Sequence, residues 1–317
     1  METQHLNRNA GRGLPFRVSL EAVNKAVGLV ALGLPFVLLT VSAAGGTCRG
    51  IDSISHYYYT RLGGDLLVGS LFLIGTLLAF FYKAPGPVDG YLGHTRRDMI
   101  AVRIAGLCAF GVALVPAASS GCEEFAGAVT RLFLSGASGA AALDMAALRD
   151  TLGSSDAALI AELAAALETT NASFDFWGTL GVSSTLITKI HYLSALGMFA
   201  VLAYYALVVF PRPQSVSALR GAGCTGRKLW RNRLYRTCGG LIVLAILALG
   251  YFSFFIQKGC AEGCTWNRLN LTFWFEALAL VAFGVSWSAK GRVFSALRDR
   301  AEPDPIAEMS ASDARGV

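Results

Sequence analysis

Apolar residues fall into six runs separated by polar stretches, and each run is too continuous for an amphipathic surface helix. The runs cover 26–44, 65–82, 99–118, 186–210, 237–257 and 270–289. Each is long enough to cross a hydrocarbon core of about 30 Å as a helix. Pro35 and several glycines interrupt them, which membrane helices tolerate because neighbouring helices re-satisfy the backbone. The pattern predicts an all-α, polytopic membrane protein: a six-transmembrane-helix bundle occupying 26–300, between a tail at 1–25 and a disordered tail at 301–317. The first run lies behind 25 mostly polar residues and is expected to be a retained helix rather than a cleaved leader.

The long stretch 119–185 reads differently. "AALDMAALRDTL" and "DAALIAELAAALE" are rich in alanine and acids at helical spacing. They are too short and too charged to cross a bilayer, so this insertion is expected to form short helices over the extracytoplasmic mouth.

Composition agrees with a membrane reading. The chain is 54% hydrophobic and 15% charged, with mean hydropathy +0.51, against about 25% charged for an average soluble domain. The net charge of +6 does not mark a nucleic-acid binder, because the basic residues lie in the connections. Nineteen of the 27 Lys and Arg fall in 1–25, 83–98, 211–236 and the tail from Lys290. Those segments share one side of a six-span protein, so the positive-inside rule predicts a plasma (inner) membrane protein with both termini cytoplasmic. The densest basic stretch, "GRKLWRNRLYR" (226–236), is expected to anchor the fifth span. Arg227, Lys228, Arg231 and Arg233 within it are candidates for anionic lipid head groups.

Of seven cysteines, Cys48, Cys122, Cys260 and Cys264 fall in the three extracytoplasmic loops. An even set on the oxidising side predicts disulfides. Three pairings are open, and bridges between loops would brace the mouth.

The candidate chemistry gathers on the same side. Asp65 opens the second run, while His191 and Glu276 lie five to six residues inside the fourth and sixth. Ionisable groups at such depth usually face a cavity, a partner or a function. At 1.5 Å per residue the last two sit about 7–9 Å below their helix starts, in one layer. Leading into it is "DSISHYYYTR" (52–61), with Asp52, Ser53, Ser55, His56 and Tyr57. This segment is expected to wall an outward-facing polar pocket. Trp274 and Trp287 bracket the sixth run and are expected to be interfacial belt residues. Bland alternatives exist for the other groups: Asp65 as a helix cap, the tyrosine run as an interfacial belt, and His191 bonded to a backbone carbonyl or a neighbouring tyrosine. Glu276 is expected to have a specific partner, with His191 the favourite. Asp52 and His56, four apart, can pair if their segment is helical. His56 and His191 are the two histidines on this side, a thin set for zinc, so no metal or cofactor is assigned. Ser53 or Ser55 beside His56 offers a nucleophile and base without a Gly-x-Ser-x-Gly elbow.

The segments "SISHYYYTRLGGDLLVG" (53–69), "KIHYLSA" (189–195), "RNRLYRTCG" (231–239) and "FWFEALALVAFGVSW" (273–287) resemble a group of uncharacterised bacterial six-helix, multi-pass membrane proteins. In that group a histidine often stands where this chain has Tyr59, and an Arg-Asp pair where it has Gly64-Asp65. The layout is also distantly similar to damage-regulated autophagy modulator proteins, at the level of fold alone. The intramembrane ceramidase and adiponectin-receptor hydrolases carry a Ser-x3-His element. Here Ser55 is followed at +4 by Tyr59, and this chain is not placed among them. Three function classes follow: a module that binds, senses or transports a lipid or small polar ligand; a membrane-embedded hydrolase acting on lipid; and a non-catalytic scaffold.

Overall fold

The computed structural model describes residues 18–44, 51–82, 94–117, 176–212, 226–260 and 264–297. These residues are all-helical, with no strand among them. Six long helices appear in the expected order: α1 (Leu20–Ala44), α2 (Arg61–Thr76), α3 (Arg96–Leu114), α4 (Ser184–Tyr204), α5 (Gly226–Tyr251) and α6 (Leu271–Lys290). Wider π turns extend α2 over Leu77–Phe81, α4 over Tyr205–Val209 and α5 over Phe252–Ile256. A short 3-10 helix, Ile54–Tyr59, precedes α2. The insertion expected over 119–185 lies outside the described residues except for its last part, where Phe176–Thr179 forms one helical turn. Both tails also lie largely outside them.

Five of the six helices are long and apolar enough to cross a membrane: the helices beginning at Leu20, Leu62, Thr185, Gly226 and Leu271. The exception is α3, 19 residues long, which carries Arg96, Arg97 and Asp98 in its first turn and Arg103 two turns on. It is nevertheless built into the bundle between α2 and α4. Its first turn is fixed by a capping box in which Thr95 and Asp98 bond each other's backbone N–H.

The expected fifth span begins earlier than its apolar run. Helix α5 starts at Gly226, so "GRKLWRNRLYR" is helical rather than a loop. Lys and Arg are good helix formers, and the apolar run behind them supplies the packing that extends the helix.

The tightest seam joins α1 to α6, which run antiparallel. A Cβ at Gly28 would collide with the backbone of Ser288, and one at Gly284 with that of Leu32. Small residues let these backbones approach closely, which is how membrane helices gain packing when lipid removes the hydrophobic drive between them. The core around the seam is aromatic at one end. Trp287 is fully buried, with its ring centroid 4.6 Å from Phe210, 4.9 Å from Phe283 and 5.5 Å from Tyr205. It is therefore a core residue and not the interfacial belt residue expected, whereas Trp274 is 54% exposed.

Candidate functional site

The segment 51–60 closes the opposite end of the bundle, and its geometry begins with Ser53. This residue is in extended conformation and caps the 3-10 helix; its Oγ accepts from the Ser55 backbone N–H at 3.2 Å. Serine suits this place because its short side chain competes well for nearby amides. The same hydroxyl lies 3.0 and 2.9 Å from the two carboxylate oxygens of Glu276 on α6. The Ile54 N–H also donates to Glu276 Oε2, at 2.5 Å. A carboxylate on one helix thus holds the first amide of another element, a charge-assisted arrangement stronger than a neutral bond.

Two residues on, Ser55 meets α4. Its Oγ is 3.0 Å from His191 Nε2, and His191 Nδ1 is 2.6 Å from the Val115 carbonyl oxygen at the end of α3. A carbonyl can only accept, so Nδ1 carries the proton. The neutral ring then presents a lone pair at Nε2 to the Ser55 hydroxyl. His191 itself is buried.

Further contacts spread the segment across the bundle end. The Tyr59 hydroxyl donates to the Ala117 carbonyl at 2.7 Å, the Tyr57 phenol bonds the Ser42 side chain of α1, and the Phe273 N–H donates to the Asp52 carbonyl at 2.8 Å. Ten residues are therefore fastened to α1, the end of α3, α4 and α6. Burial pushes the Tyr57 phenol above its usual range. Tyr57 and Tyr58 are buried, so the tyrosine run packs inward and is not an interfacial belt.

At the rim, His56 Nδ1 and Asp52 Oδ1 are 2.8 Å apart. The side chain of Asp52 is 55% exposed, and the hydrogen bond from His56 holds its carboxyl below the usual carboxylate value. The i, i+4 pairing expected of these two is present.

Two other expectations are corrected. Glu276 and His191 are not each other's partners. They reach the same segment at serines two residues apart, and each is taken up by nearer groups: Ser53 and Ile54 for Glu276, Val115 and Ser55 for His191. Asp65 sits on the exposed face of α2, whereas Ser53, Ser55, His191 and Glu276 come together. The serine that meets a histidine is Ser55, and that histidine is His191 rather than the adjacent His56.

The Cys260 and Cys264 sulfurs are bonded to each other, with Cα atoms 5.5 Å apart. This bridge lies within one connection instead of joining two loops; Cys48 and Cys122 lie outside the described residues. Among the described residues no three His, Cys, Asp or Glu come together as a metal-binding set. In the basic first turns of α5, Arg231 is buried and donates to the Leu297 carbonyl at 3.1 Å. That engagement takes it out of the lipid-facing set. Arg233 is exposed, 5.5 Å from the exposed Trp230 ring, and Arg227 and Lys228 are half-buried.

A second polar cluster was not read from the sequence. At the other end of the bundle Asp98, fully buried, receives Arg212 Nη1 at 2.6 Å and the Tyr204 hydroxyl at 2.7 Å. The Tyr205 hydroxyl donates to the Asp98 carbonyl at 2.6 Å. The Thr95-x-x-Asp98 capping box was its one local signal; the cation arrives from 114 residues away.

Comparison with protein-family models, curated proteins and solved structures finds no match for this chain.

Proposed function

We propose that this chain is a six-span membrane protein that binds a lipid head group or a small polar ligand at the extracytoplasmic end, for sensing or transport. The observation that carries this reading is the convergence of Ser53, Ser55, His191 and Glu276, from three separate elements, beneath a half-exposed Asp52–His56 pair. Ionisable groups are expensive at membrane depth and persist where they pair or serve a ligand. The rim offers an anion and a histidine side by side. Exposed apolar residues on the neighbouring helices, Leu186, Leu193 and Trp274, give acyl chains a surface to lie against, which favours a lipid.

In this reading α3 is the sixth span. Its 19 residues reach about 28 Å, and its charged first turn sits at the cytoplasmic surface with Arg103 snorkelling. The basic segments then lie on the cytoplasmic side, where Arg227, Lys228 and Arg233 approach anionic head groups.

The test is native mass spectrometry of the purified protein with phosphatidylethanolamine and phosphatidylglycerol as probes, alongside the Asp52→Asn/His56→Ala double variant. The reading expects retained lipid whose occupancy falls at least several-fold in the double variant and is unchanged in Asp65→Asn. Equal lipid retention in all three proteins overturns it.

A further inference from the structure

We infer that Ser55 is a nucleophile and His191 its general base, in an acyl-transfer reaction on an ester-linked amphiphile. This inference deepens the ligand-site reading above and rests on it.

Three features of the pair go beyond a structural hydrogen bond. The first is orientation. Val115 O fixes the proton on Nδ1 of His191, so the nitrogen facing Ser55 is the basic one. A base held in the correct tautomer by a third group is the logic of serine nucleophiles in general; here a backbone carbonyl takes the place of a carboxylate. The second is distance. Ser55 Oγ and Nε2 are 3.0 Å apart, within reach for direct proton transfer. The third is access. His191 is buried, but Ser55 is only half-buried and belongs to the segment whose Asp52–His56 rim is open. Ser53, by contrast, is buried and occupied by Glu276 and the Ser55 amide. The Glu276 contacts fix the start of the segment and so set where Ser55 stands; Glu276 is a positioning residue.

The step balances with water as co-reactant. Ser55 Oγ attacks the acyl carbonyl carbon as its proton passes to His191 Nε2. The C–O bond to the alcohol breaks, and the alcohol leaves with the proton from Nε2. Water, deprotonated by the same nitrogen, then cleaves the acyl-serine and returns the proton to Ser55. The substrate class follows from the position of the site, at one end of apolar helices beside the exposed Leu186, Ile190 and Leu193 of α4. An acyl chain lying along that helix brings its ester to the level of Ser55.

The experiment uses a fluorophosphonate probe on the full-length protein in detergent, with the modified residue mapped by mass spectrometry. His191→Asn is the informative variant, because its amide retains a donor for Val115 O while the base at Nε2 is lost. Folding is checked by thermal unfolding. The inference expects phosphonylation at Ser55, none in Ser55→Ala, and a rate about 10²-fold lower in folded His191→Asn, the low end of general-base contributions. An unmodified Ser55 in the wild type, or equal rates in wild type and His191→Asn, overturns it. The lipid occupancy of the wild-type protein separates the two readings. If lipid is retained while the wild type is unreactive, the acyl-transfer inference fails and the binding reading stands.

Discussion

The two ends of this bundle accommodate buried polar groups in different ways. At the Asp98 end a carboxylate with no exposed surface is met by a guanidinium, a tyrosine hydroxyl and its own capping residue, and the adjoining core is packed with Tyr82, Tyr205, Phe210 and Trp287. Every described oxygen of that carboxylate is taken. At the Ser55 end the bonds run from a short capped 3-10 segment to α4, α6 and the end of α3, use backbone carbonyls and amides as partners, and leave a hydroxyl and an Asp–His pair at an open rim. The first arrangement joins α3 to the end of α4 by charge. The second places groups in defined orientations and keeps them accessible, as a site for chemistry or binding requires. The contrast implies that substitutions at the Asp98 end act mainly on stability and those at the Ser55 end mainly on function.

The largest effect is expected at the Asp98 end. Arg212→Ala leaves a buried carboxylate without its cation, and breaking such a pair typically costs about 3–5 kcal/mol. Unfolding of the purified protein by SDS titration should show that loss. A change near zero would remove the charge join and erase the contrast.

Next comes Glu276→Ala, which strands the Ile54 amide, while Ser53 Oγ keeps the bond from the Ser55 N–H. Unsatisfied buried groups cost about 1–3 kcal/mol, so the stability loss should be smaller than at Arg212, while phosphonylation at Ser55 should fall several-fold as the segment loses its anchor. A large stability loss with unchanged labelling would place Glu276 with the purely structural groups.

The smallest effect is a pH dependence. His56 holds the Asp52 carboxyl below its ordinary value of 3.8. A lowered folded value means the contribution is fully present above the unfolded value and is lost as pH falls through the folded one. Wild type should therefore exceed Asp52→Asn in melting temperature at pH 6, and the difference should shrink as the pH is taken below 3.8. A difference that grows on acidification would contradict the pairing.

How much of this was readable from residues alone depends on the range of the interaction. All six helices follow from runs of apolar residues, because hydropathy is a local property. That His191 and Glu276 reach one segment agrees with counting residues into their helices, and Asp52–His56 followed from a spacing of four. What failed was partner choice across the bundle. His191 and Glu276 share a layer, yet each found a backbone group or serine nearer than the other; the Val115 carbonyl carries no side-chain signature at all. Asp65 opens α2 beside this segment but is exposed, since side-chain direction depends on helix rotation. Trp287 and the tyrosines were misread because an aromatic residue near a helix end suits a lipid interface and a buried core equally well. Arg212 looked like one more loop charge, and nothing in its neighbourhood pointed to Asp98.

The central claim is that the serine segment is held in place by α6 through Glu276, and a double-mutant cycle tests it most directly. Ser53→Ala, Glu276→Ala and the combined variant would be compared by SDS-titration unfolding. A direct bond predicts non-additivity of about 0.5–3 kcal/mol, with the double variant little worse than Glu276→Ala alone. Losses that simply add, within about 0.3–0.5 kcal/mol, would mean the two side chains do not meet, and the site built on their contact would fall with them.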